Sequence, residues 1–511
     1  MDHKRDFSVN DRLVRICGLA AVIGGISTLA AVVLLGLIHL FTNLFFFGTF
    51  SVEEHSPALN TLGAWVIVIP VIGGLIVGMM VRFGSEKIRG HGIPEAIEAI
   101  LFGKSRMSPK VAILKPLSSG IVIGSGGALG SLIAQCIDVT AAERKTLLVA
   151  GSAAGMTAVF GTPVAAVLLA VELLLFEWRP RSFLPVALAR AAAFGTDALF
   201  PLQTEAPHMI SLLSCLVAGL LSGALASGLS AALYKLEDLF GKLSIHWMWW
   251  PAIGAVFVGI GGYIEPRALG VGYDVIGDLL HGHILIHAAL AILAVKAIIW
   301  VVALASGTSG GVLAPLLMLG AGLGTVLGAV LPGHDAALWP LICMAATLGA
   351  TLTAIVFAFG LTHDANALLP LLAATLVAHG FATVVMKRSI MTEKIARRGY
   401  HIYREYGVDP LERHHVDEVM TRDVLTIDAA TPLSDVLAKH FGPQQVHRAY
   451  PVVRDGVLAG MLDRAALASL IEATPEPALT VGDALVRLSG DAPWVALPGE
   501  TCRLAATRFT S

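Results

Sequence analysis

Charged side chains are scarce in this chain of 511 residues, at 14% against roughly 25% in an average soluble protein. They are much denser after residue 390 than before it, which excludes an ordinary soluble domain over most of the length and predicts a polar tail. The five cysteines show neither close pairing nor C-x-x-C spacing, so no disulfide and no metal site is indicated. Since no basic patch or phosphate-binding loop stands out, we expect no nucleic-acid partner.

Long apolar runs dominate the remainder, with 56% hydrophobic residues and a mean hydropathy of +0.76. They predict an integral membrane protein, and because several runs are short we expect tilted, re-entrant or half-spanning helices. The first run is too long for a removable signal peptide and lacks a convincing cleavage site. The runs cover residues 16–38, 63–81, 111–137, 146–176, 183–200, 209–234, 247–263, 284–305, 312–331, 338–361 and 367–386.

Basic residues set the expected orientation. Lys4, Arg5, Arg12 and Arg15 precede the first run, and the loop after the second run is also rich in lysine and arginine. By the positive-inside rule both segments are cytoplasmic. We therefore expect a multi-pass protein of a bacterial inner membrane with both termini in the cytoplasm.

Two short glycine and proline interruptions are the clearest candidates for a site. Proline suits the first turn of a helix and glycine permits a sharp turn, so each interruption predicts a loop that leads into a helix N-terminus. The positive dipole end of such a helix favours an anion, and paired breaks in apolar spans indicate a site near the membrane midplane. The candidate anion-binding residues are Gly90, His91, Gly92, Ile93 and Pro94 in the first loop and Gly311, Val312, Leu313, Ala314 and Pro315 in the second.

A weak internal similarity joins two parts of the apolar region. Residues 153–160, AAGMTAVF, resemble residues 349–357, GATLTAIVF. The pattern predicts two related halves, and the abundant small residues would allow close approach between helices. The alternative is that glycine is simply common in membrane helices.

Several of these segments resemble the CLC family of chloride channels and proton-coupled chloride transporters, over residues 15–400. The loop at 90–95 is similar to the family's G-S-G-I-P-E loop, and the loop at 311–315 to its G-x-F-x-P, with Leu313 in the phenylalanine place. Residues 160–163 resemble the segment before the family's internal glutamate. The resemblance implies an all-α membrane domain of two inverted halves with broken and tilted helices. It also implies a homodimer with one chloride pathway in each subunit.

Two positions along the implied pathway depart from the family pattern. His91 replaces a coordinating serine; neutral imidazole can donate one N–H to an anion, and protonated imidazole adds a charge, which predicts acid-enhanced anion binding. The alternative is a structural histidine that bonds a backbone carbonyl. Met391 stands near the place of the family's second coordinating side chain, a tyrosine, and supplies no hydroxyl donor.

The family's gating motif, G-[KR]-E-G-P, is missing from this chain. Its place is taken by Gly124, Ser125, Gly126 and Gly127, either ungapped, with Gly126 in the glutamate position, or gapped, with part of the loop and helix start missing; we prefer the gapped alignment. Under both alignments no carboxylate can swing into the pore, which predicts passive or weakly proton-coupled conduction. The four residues would form either an anion-binding nest of amides or a plain flexible turn.

Two glutamates compete for the proton path that the resemblance implies. Glu172 has the expected spacing from Pro163, whereas Glu177 precedes the expected W-R-P sequence. An acidic residue inside a membrane segment is a functional hypothesis, but Glu177 beside Arg179 also fits an interfacial ion pair. Gly360 stands where relatives commonly have a glutamate, so a non-conducting membrane scaffold or sensor is an alternative to a transporter.

The polar tail predicts a small cytoplasmic α/β domain. Its pattern of strand, helix, strand and strand between residues 419 and 462 resembles a CBS domain, which in relatives often binds adenine nucleotides. The ribose element at 463–466 lacks the usual first hydroxyl and last aspartate, so we expect no cofactor. A second repeat begins near 479–488 and is incomplete. The predicted divisions are a cytoplasmic N-terminal segment at 1–15, a CLC-type membrane domain at 16–398, a linker at 399–415 and a CBS-like domain at 416–511.

One motif points to an enzyme instead. Residues 307–310, GTSG, match the G-x-S-G nucleophile pattern of rhomboid intramembrane proteases, with Ser309 as nucleophile and His379 in a later apolar run. A nucleophile needs a base within hydrogen-bond reach, and the sequence establishes none. The sequence therefore favours a CLC-type anion transport protein that is not an enzyme. Its expected partners are chloride, the lipid bilayer and a second copy of the chain.

Overall fold

The computed structural model divides the chain into two compact units, Met1–Tyr406 and Gly407–Ser511. The division falls inside the segment predicted as a linker, and each unit is described by itself. The described residues are 11–85, 97–98, 100, 114, 141–175, 180–191, 198–308, 310–332, 336–386, 390, 392–399, 411, 414–441, 447, 449–464, 467, 479–488, 496–497 and 499–510.

The first unit is built from helices. An eight-residue amphipathic helix, α8 (Tyr273–Leu280), was not among the predicted apolar runs because Asp274 and Asp278 interrupt it. The described helices are α1 (Asp11–Thr42), α2 (Val68–Phe83), α3 (Ala141–Phe160), α4 (Pro163–Leu169), α5 (Pro180–Ala191), α6 (Met209–Gly241), α7 (Trp250–Ile264), α8 (Tyr273–Leu280), α9 (Ile286–Ala305), α10 (Leu313–Gly328), α11 (Leu338–Ala346), α12 (Thr351–Thr362), α13 (Leu368–Val385) and α14 (Glu393–Arg397).

Membrane-spanning capacity follows the predicted runs. Within the described parts of the chain, six helical segments are long and apolar enough to cross a bilayer. Each coincides with a run predicted from the sequence, so the prediction of an integral membrane protein is confirmed. The six segments are Val14–Phe47, Gly63–Phe83, Met209–Gly241, Trp247–Ile264, Ile286–Ala305 and Leu368–Val385.

Two of the other apolar runs are each broken by a glycine in the left-handed region. Gly161, with φ +64°, separates α3 from α4, and Gly349, with φ +69°, separates α11 from α12. Glycine tolerates this conformation where other residues are strained, so each glycine ends one helix and redirects the chain into the next. The expectation of broken helices is confirmed at both places.

These two glycines give the internal repeat a second register beside the predicted one. Residues 153–160 lie inside α3, ahead of its glycine, whereas 349–357 begin at the glycine itself. Matching Gly161 with Gly349 instead pairs α3 with α11 and α4 with α12. The similarity of residues 153–160 to residues 349–357 stays a prediction.

Small residues bring long helices together as predicted. A Cβ atom on Gly219 of α6 would lie 2.9 Å from the Cα atom of Ala374 in α13. One turn later, a Cβ atom on Gly223 would lie 3.1 Å from the Cα atom of Ala378. Lipid provides no hydrophobic drive between helices, so this close van der Waals packing is what holds them together.

The second unit contains a three-stranded sheet in the order β1 (Ile427–Asp428), β2 (Ala449–Arg454) and β3 (Val457–Asp463). Strands β1 and β2 are parallel, and β2 and β3 form an antiparallel hairpin. Asp455 and Gly456 both have positive φ at the hairpin turn, which suits the right-handed strand twist. The predicted order of strand, helix, strand and strand is confirmed, although the first strand begins later than expected, after the short helix α15 (Val416–Val419).

Two isolated β-bridges connect the first half of this unit to its second half, the earlier segment of one half pairing with the later segment of the other. His415, just before α15, pairs with Thr501, just before the last helix α18 (Cys502–Thr510). Pro432, just before α16 (Leu433–Lys439), pairs with Thr480, just before α17 (Val481–Leu488). Helix α17 therefore holds the position in the second half of this unit that α15 holds in the first half. This arrangement agrees with a second repeat that begins near residue 479.

Candidate functional site

The second predicted anion loop leads directly into a helix N-terminus. Helix α10 begins at Leu313, and Pro315 lies in its first turn, where the missing N–H costs nothing. The amide of Leu316 bonds the Val312 carbonyl oxygen at 3.3 Å and closes the first helical turn. The earlier amides have no acceptor within the helix, so this end presents donors and a positive dipole in a buried setting, with Val312 only 3% exposed.

A tryptophan on α9, which the sequence did not single out, forms a hydrogen bond to this loop. The indole nitrogen Nε1 of Trp300, on α9, lies 3.3 Å from the carbonyl oxygen of Gly311 and donates a hydrogen bond to it. Trp300 is 5% exposed and packs in the same buried cluster as Val312 and Leu316. A tryptophan inside an apolar run is the only sequence signal it gives, and that signal does not indicate a partner.

Several predicted site residues lie outside the part of the chain that the structure describes, and their predicted roles stay predictions. They include both alternatives for the gate region and one of the two candidate proton-path glutamates. The residues are Gly90, His91, Gly92, Ile93, Pro94, Gly124, Ser125, Gly126, Gly127, Glu177, Ser309 and Met391.

The backbone next to Met391 is fixed by a tyrosine that the sequence did not single out. The Tyr234 hydroxyl, on α6, donates to the Ile390 carbonyl oxygen at 2.6 Å. The guanidinium carbon of Arg397 lies 4.9 Å from the centre of the Tyr234 ring, within cation–π range. A tyrosine is therefore present beside this position, although it bonds backbone.

Ion pairs fasten α14, which follows Met391. Arg397 bonds Asp238 at the end of α6, with Nη1 to Oδ1 at 2.5 Å, and bonds Glu393 one turn earlier at 3.3 Å. The hydrogen bond to Asp238 raises the pKa of the Arg397 guanidinium above its already high ordinary value. Arg398 pairs with Glu98. These exposed pairs contribute little energy singly, but together they set the position of the segment.

Glu172, the described proton-path candidate, caps a helix of the other half. One carboxylate oxygen accepts hydrogen bonds from both the amide and the hydroxyl of Thr353, at 3.1 Å and 2.5 Å. Thr353 lies in the first turn of α12, where orphan amides and the positive dipole end favour a carboxylate. This capping contact, between residues 181 positions apart, could not be read from the sequence.

A buried lysine inside a membrane helix also escaped sequence reasoning. Lys296 of α9 is 4% exposed, and its Nζ donates to the carbonyl oxygens of Ala268 and Gly270 at 2.8 Å and 3.0 Å. A charge inside an apolar run is a functional signal in its own right, and averaging hydropathy over the run concealed it. Its observed bonds tie the loop before α8 to α9.

The described residues give little support to a metal site or to the protease alternative. Among the described residues no three or more His, Cys, Asp and Glu side chains are placed to hold a metal ion. His379, the histidine of the protease alternative, is exposed on α13. Cys17, Cys215, Cys343 and Cys502 are free thiols.

Comparisons with known proteins agree with this architecture. The family model for the voltage gated chloride channel matches residues 73–383, and the CBS domain model matches residues 416–473. The chain is 27% identical over 427 residues to the H(+)/Cl(-) exchange transporter ClcA of Salmonella arizonae, covering 74% of this chain and 89% of the relative. It is 25% identical over 372 residues to the putative chloride channel protein ClcB-like of Ralstonia nicotianae, covering 65% and 85%.

Solved structures show the same fold. A slow cyanobacterial Cl-/H+ antiporter superposes with a TM-score of 0.63 at 18% identity, covering 76% of this chain and 99% of the antiporter. A eukaryotic CLC transporter superposes with a TM-score of 0.62 at 16% identity, covering 96% and 97%. The family match spans more than half of the chain and includes both broken-helix units. The chain is therefore a multi-pass membrane protein of the voltage-gated chloride channel family, whose members are anion channels and transporters and not enzymes.

Proposed function

We propose that this protein conducts chloride passively or with weak coupling to protons. The named relatives include an H(+)/Cl(-) exchange transporter and a putative chloride channel, so both modes occur among similar proteins. The sequence carries no gating glutamate motif, and the segment at 124–127 offers no carboxylate in its place.

The observation that carries the proposal is that Glu172 accepts two hydrogen bonds from Thr353. Its carboxylate accepts hydrogen bonds from the amide and the hydroxyl of Thr353 at a helix N-terminus, an arrangement that holds the side chain in one position. A proton carrier must reach a proton donor and a proton acceptor in turn during each cycle, whereas a helix cap keeps its side chain in one place. Glu172 therefore serves as a cap, and Glu177 is the remaining candidate for weak coupling.

The anion site in this proposal uses the start of α10. The amides of Val312, Leu313 and Ala314 supply donors, while Gly311 and Pro315 shape the turn. Residues 90–94 complete the site from the other half, with His91 adding a donor that strengthens binding in acid. The side chain of Met391 makes no hydrogen bond to the anion.

Exposed apolar faces support the proposed homodimer and its burial in lipid, and basic segments support the proposed orientation. Apolar side chains of α4, α12 and α13 remain exposed, among them Val164, Leu352, Leu369 and Leu376. They support burial against lipid and, on one face, against a second copy in a homodimer. The basic N-terminus and the basic loop after α2 support a bacterial inner-membrane protein with cytoplasmic termini.

The cytoplasmic unit is proposed to bind no nucleotide. Asp463 ends β3 where relatives supply a hydroxyl for the ribose, so a negative charge would face the sugar instead. Titration of the full-length protein with ATP in a calorimeter is expected to give no binding heat. Saturable heat would contradict this part of the proposal.

Chloride efflux from proteoliposomes tests the transport mode. Purified protein is reconstituted, efflux is started with a potassium ionophore, and external pH is recorded with and without a proton ionophore. Passive conduction gives chloride efflux with little or no proton movement. Glu177→Gln removes any remaining coupling, and Glu172→Gln leaves the ratio of chloride to protons unchanged.

Each of the other outcomes of this experiment would overturn one part of the proposed function. Strict proton exchange would show that a carboxylate replaces the missing gate, and loss of exchange in Glu172→Gln would identify it. Absence of flux from a folded protein would favour the non-conducting scaffold. Chloride binding by that same silent protein, measured by calorimetry, would retain the anion site but not the pathway.

A further inference from the structure

We propose that Trp300 is a positioning residue that fixes the orientation of the peptide group between Gly311 and Val312. This inference rests on the proposed anion site at the start of α10 and adds a residue to its support. The indole touches the backbone of the loop and not the anion itself, since its Nε1 donates to the Gly311 carbonyl oxygen at 3.3 Å.

The position of Trp300 makes this bond hard to replace. Helix α9 packs along α10, and Trp300, 5% exposed, lies in a buried cluster with Leu304, Val312 and Leu316. A buried carbonyl that lost its indole donor would lack a protein partner, at a cost in free energy. The same helix uses Lys296, one turn earlier, to bond two other backbone carbonyls, so α9 serves as a fixed support for two loops.

Fixing this carbonyl also fixes an amide. A peptide group is planar and trans, so its C=O and N–H point in opposite directions. When Trp300 holds the Gly311 oxygen on its own side, the N–H of Val312 must point away from Trp300, toward the side where the free amides of α10 begin. The tryptophan therefore sets the first donor of the series offered to an anion.

The loop itself restrains this peptide plane from one side only. Rotation of the plane changes ψ of Gly311, which has no Cβ atom to resist it, together with φ of Val312, which is −99°. Complete reversal would give the β-branched Val312 a positive φ and is therefore disfavoured, but a smaller tilt stays open without the indole bond. A tilt turns the Val312 amide away from the anion and the Gly311 oxygen toward it, so the bond to Trp300 is expected to affect affinity more than fold stability.

The test compares three tryptophan-to-phenylalanine variants. Trp300→Phe keeps a large ring and removes the indole donor. Trp339→Phe is the matched control, because Trp339 is 1% exposed and its Nε1 has no partner among the described residues. Trp250→Phe is a second control that removes an indole bond to a carbonyl, that of Ile245 at 3.1 Å, far along the chain from the loop.

Chloride affinity, measured by calorimetry on the full-length protein in detergent, is the first readout. A neutral hydrogen bond is worth a few-fold to tenfold in an equilibrium, so Trp300→Phe is expected to weaken chloride binding by about 3- to 10-fold. Both controls are expected to change it by less than about twofold, because neither indole bonds a carbonyl of the loop at 311–315. Equal affinity in Trp300→Phe and Trp339→Phe overturns the inference while leaving the anion site intact.

A spectroscopic readout separates positioning from general packing. In protein labelled with 5-fluorotryptophan, the fluorine resonance missing from Trp300→Phe, or from Trp300→Tyr should the first variant not fold, belongs to Trp300. This resonance is expected to shift on chloride addition while that of Trp339 does not. A Trp300 resonance insensitive to chloride, in protein that binds chloride, contradicts the inference. Absence of chloride binding in the unmodified protein overturns both the anion site and the inference built on it.

Discussion

Helices α4 and α12 cross antiparallel and contact each other at both ends of the crossing. They are counterparts in the repeat when Gly161 is matched with Gly349, yet the contacts at the two ends differ in chemistry. At one end Glu172, in the π-helical turn that continues α4, bonds the amide and hydroxyl of Thr353. At the other end Gly360 of α12 packs on Thr162, just before α4, and a Cβ atom on this glycine would lie 2.9 Å from the Thr162 methyl carbon. One end is held by hydrogen bonds to a carboxylate, and the other by the close contact of a glycine with the Thr162 side chain.

The difference shows how a repeated unit can lose its symmetry. In this register Gly360 occupies in α12 the place that Glu172 occupies after α4. The carboxylate stands where a hydroxyl and a helix N-terminus donate to it. At the glycine end the helices approach too closely for a side chain, and the Thr162 hydroxyl is left without a partner among the described residues. Gly360, noted in the sequence as the place of a missing glutamate, is thus a packing residue.

The largest effect is expected from filling the close end. Gly360→Val adds a Cβ atom under 3 Å from Thr162 and two further methyl groups, so overpacking should cost about 3 kcal/mol. Thermal unfolding in detergent, followed by tryptophan fluorescence, measures the loss. The matched control is Gly380→Val on α13, where a Cβ atom would meet nothing within 4 Å. Equal stability of the two variants would show that the close approach at Gly360 carries no energy.

Breaking the hydrogen-bonded end is expected to cost less. Thr353→Val keeps the shape of the side chain and removes the hydroxyl donor to Glu172, and a hydrogen bond to a charged group is worth about 2 kcal/mol. Thr375→Val on α13 is the control, because the Thr375 hydroxyl bonds only carbonyl oxygens of its own helix. Combined with Glu172→Gln, the Thr353 variant should show a coupling energy of about 1 kcal/mol. Additive effects of the two changes would mean that the residues stabilise the protein independently.

The sequence predicted the class of fold and the location of one site loop because these depend on local features. Apolar runs fix the spans, and the glycine and proline at 311–315 predict a loop before a helix. The partners of Glu172, Trp300 and Lys296 depend on which helices cross, and no local pattern contains that information. The register that Gly161 and Gly349 share also lacks a local signature, since it rests on left-handed backbone and not on similarity of side chains.

The smallest expected effect separates the two threonines of this crossing. Thr162 is 1% exposed and its hydroxyl oxygen has no partner among the described residues, whereas the hydroxyl of Thr353 is bonded. Replacing an unpaired buried hydroxyl by a methyl group of the same shape removes a desolvation cost. Thr162→Val should therefore leave stability unchanged or raise it by up to about 1 kcal/mol, opposite in sign to Thr353→Val. A loss as large as that of Thr353→Val, in the same unfolding measurement, would reveal a partner for Thr162 and make the two ends of the crossing chemically alike.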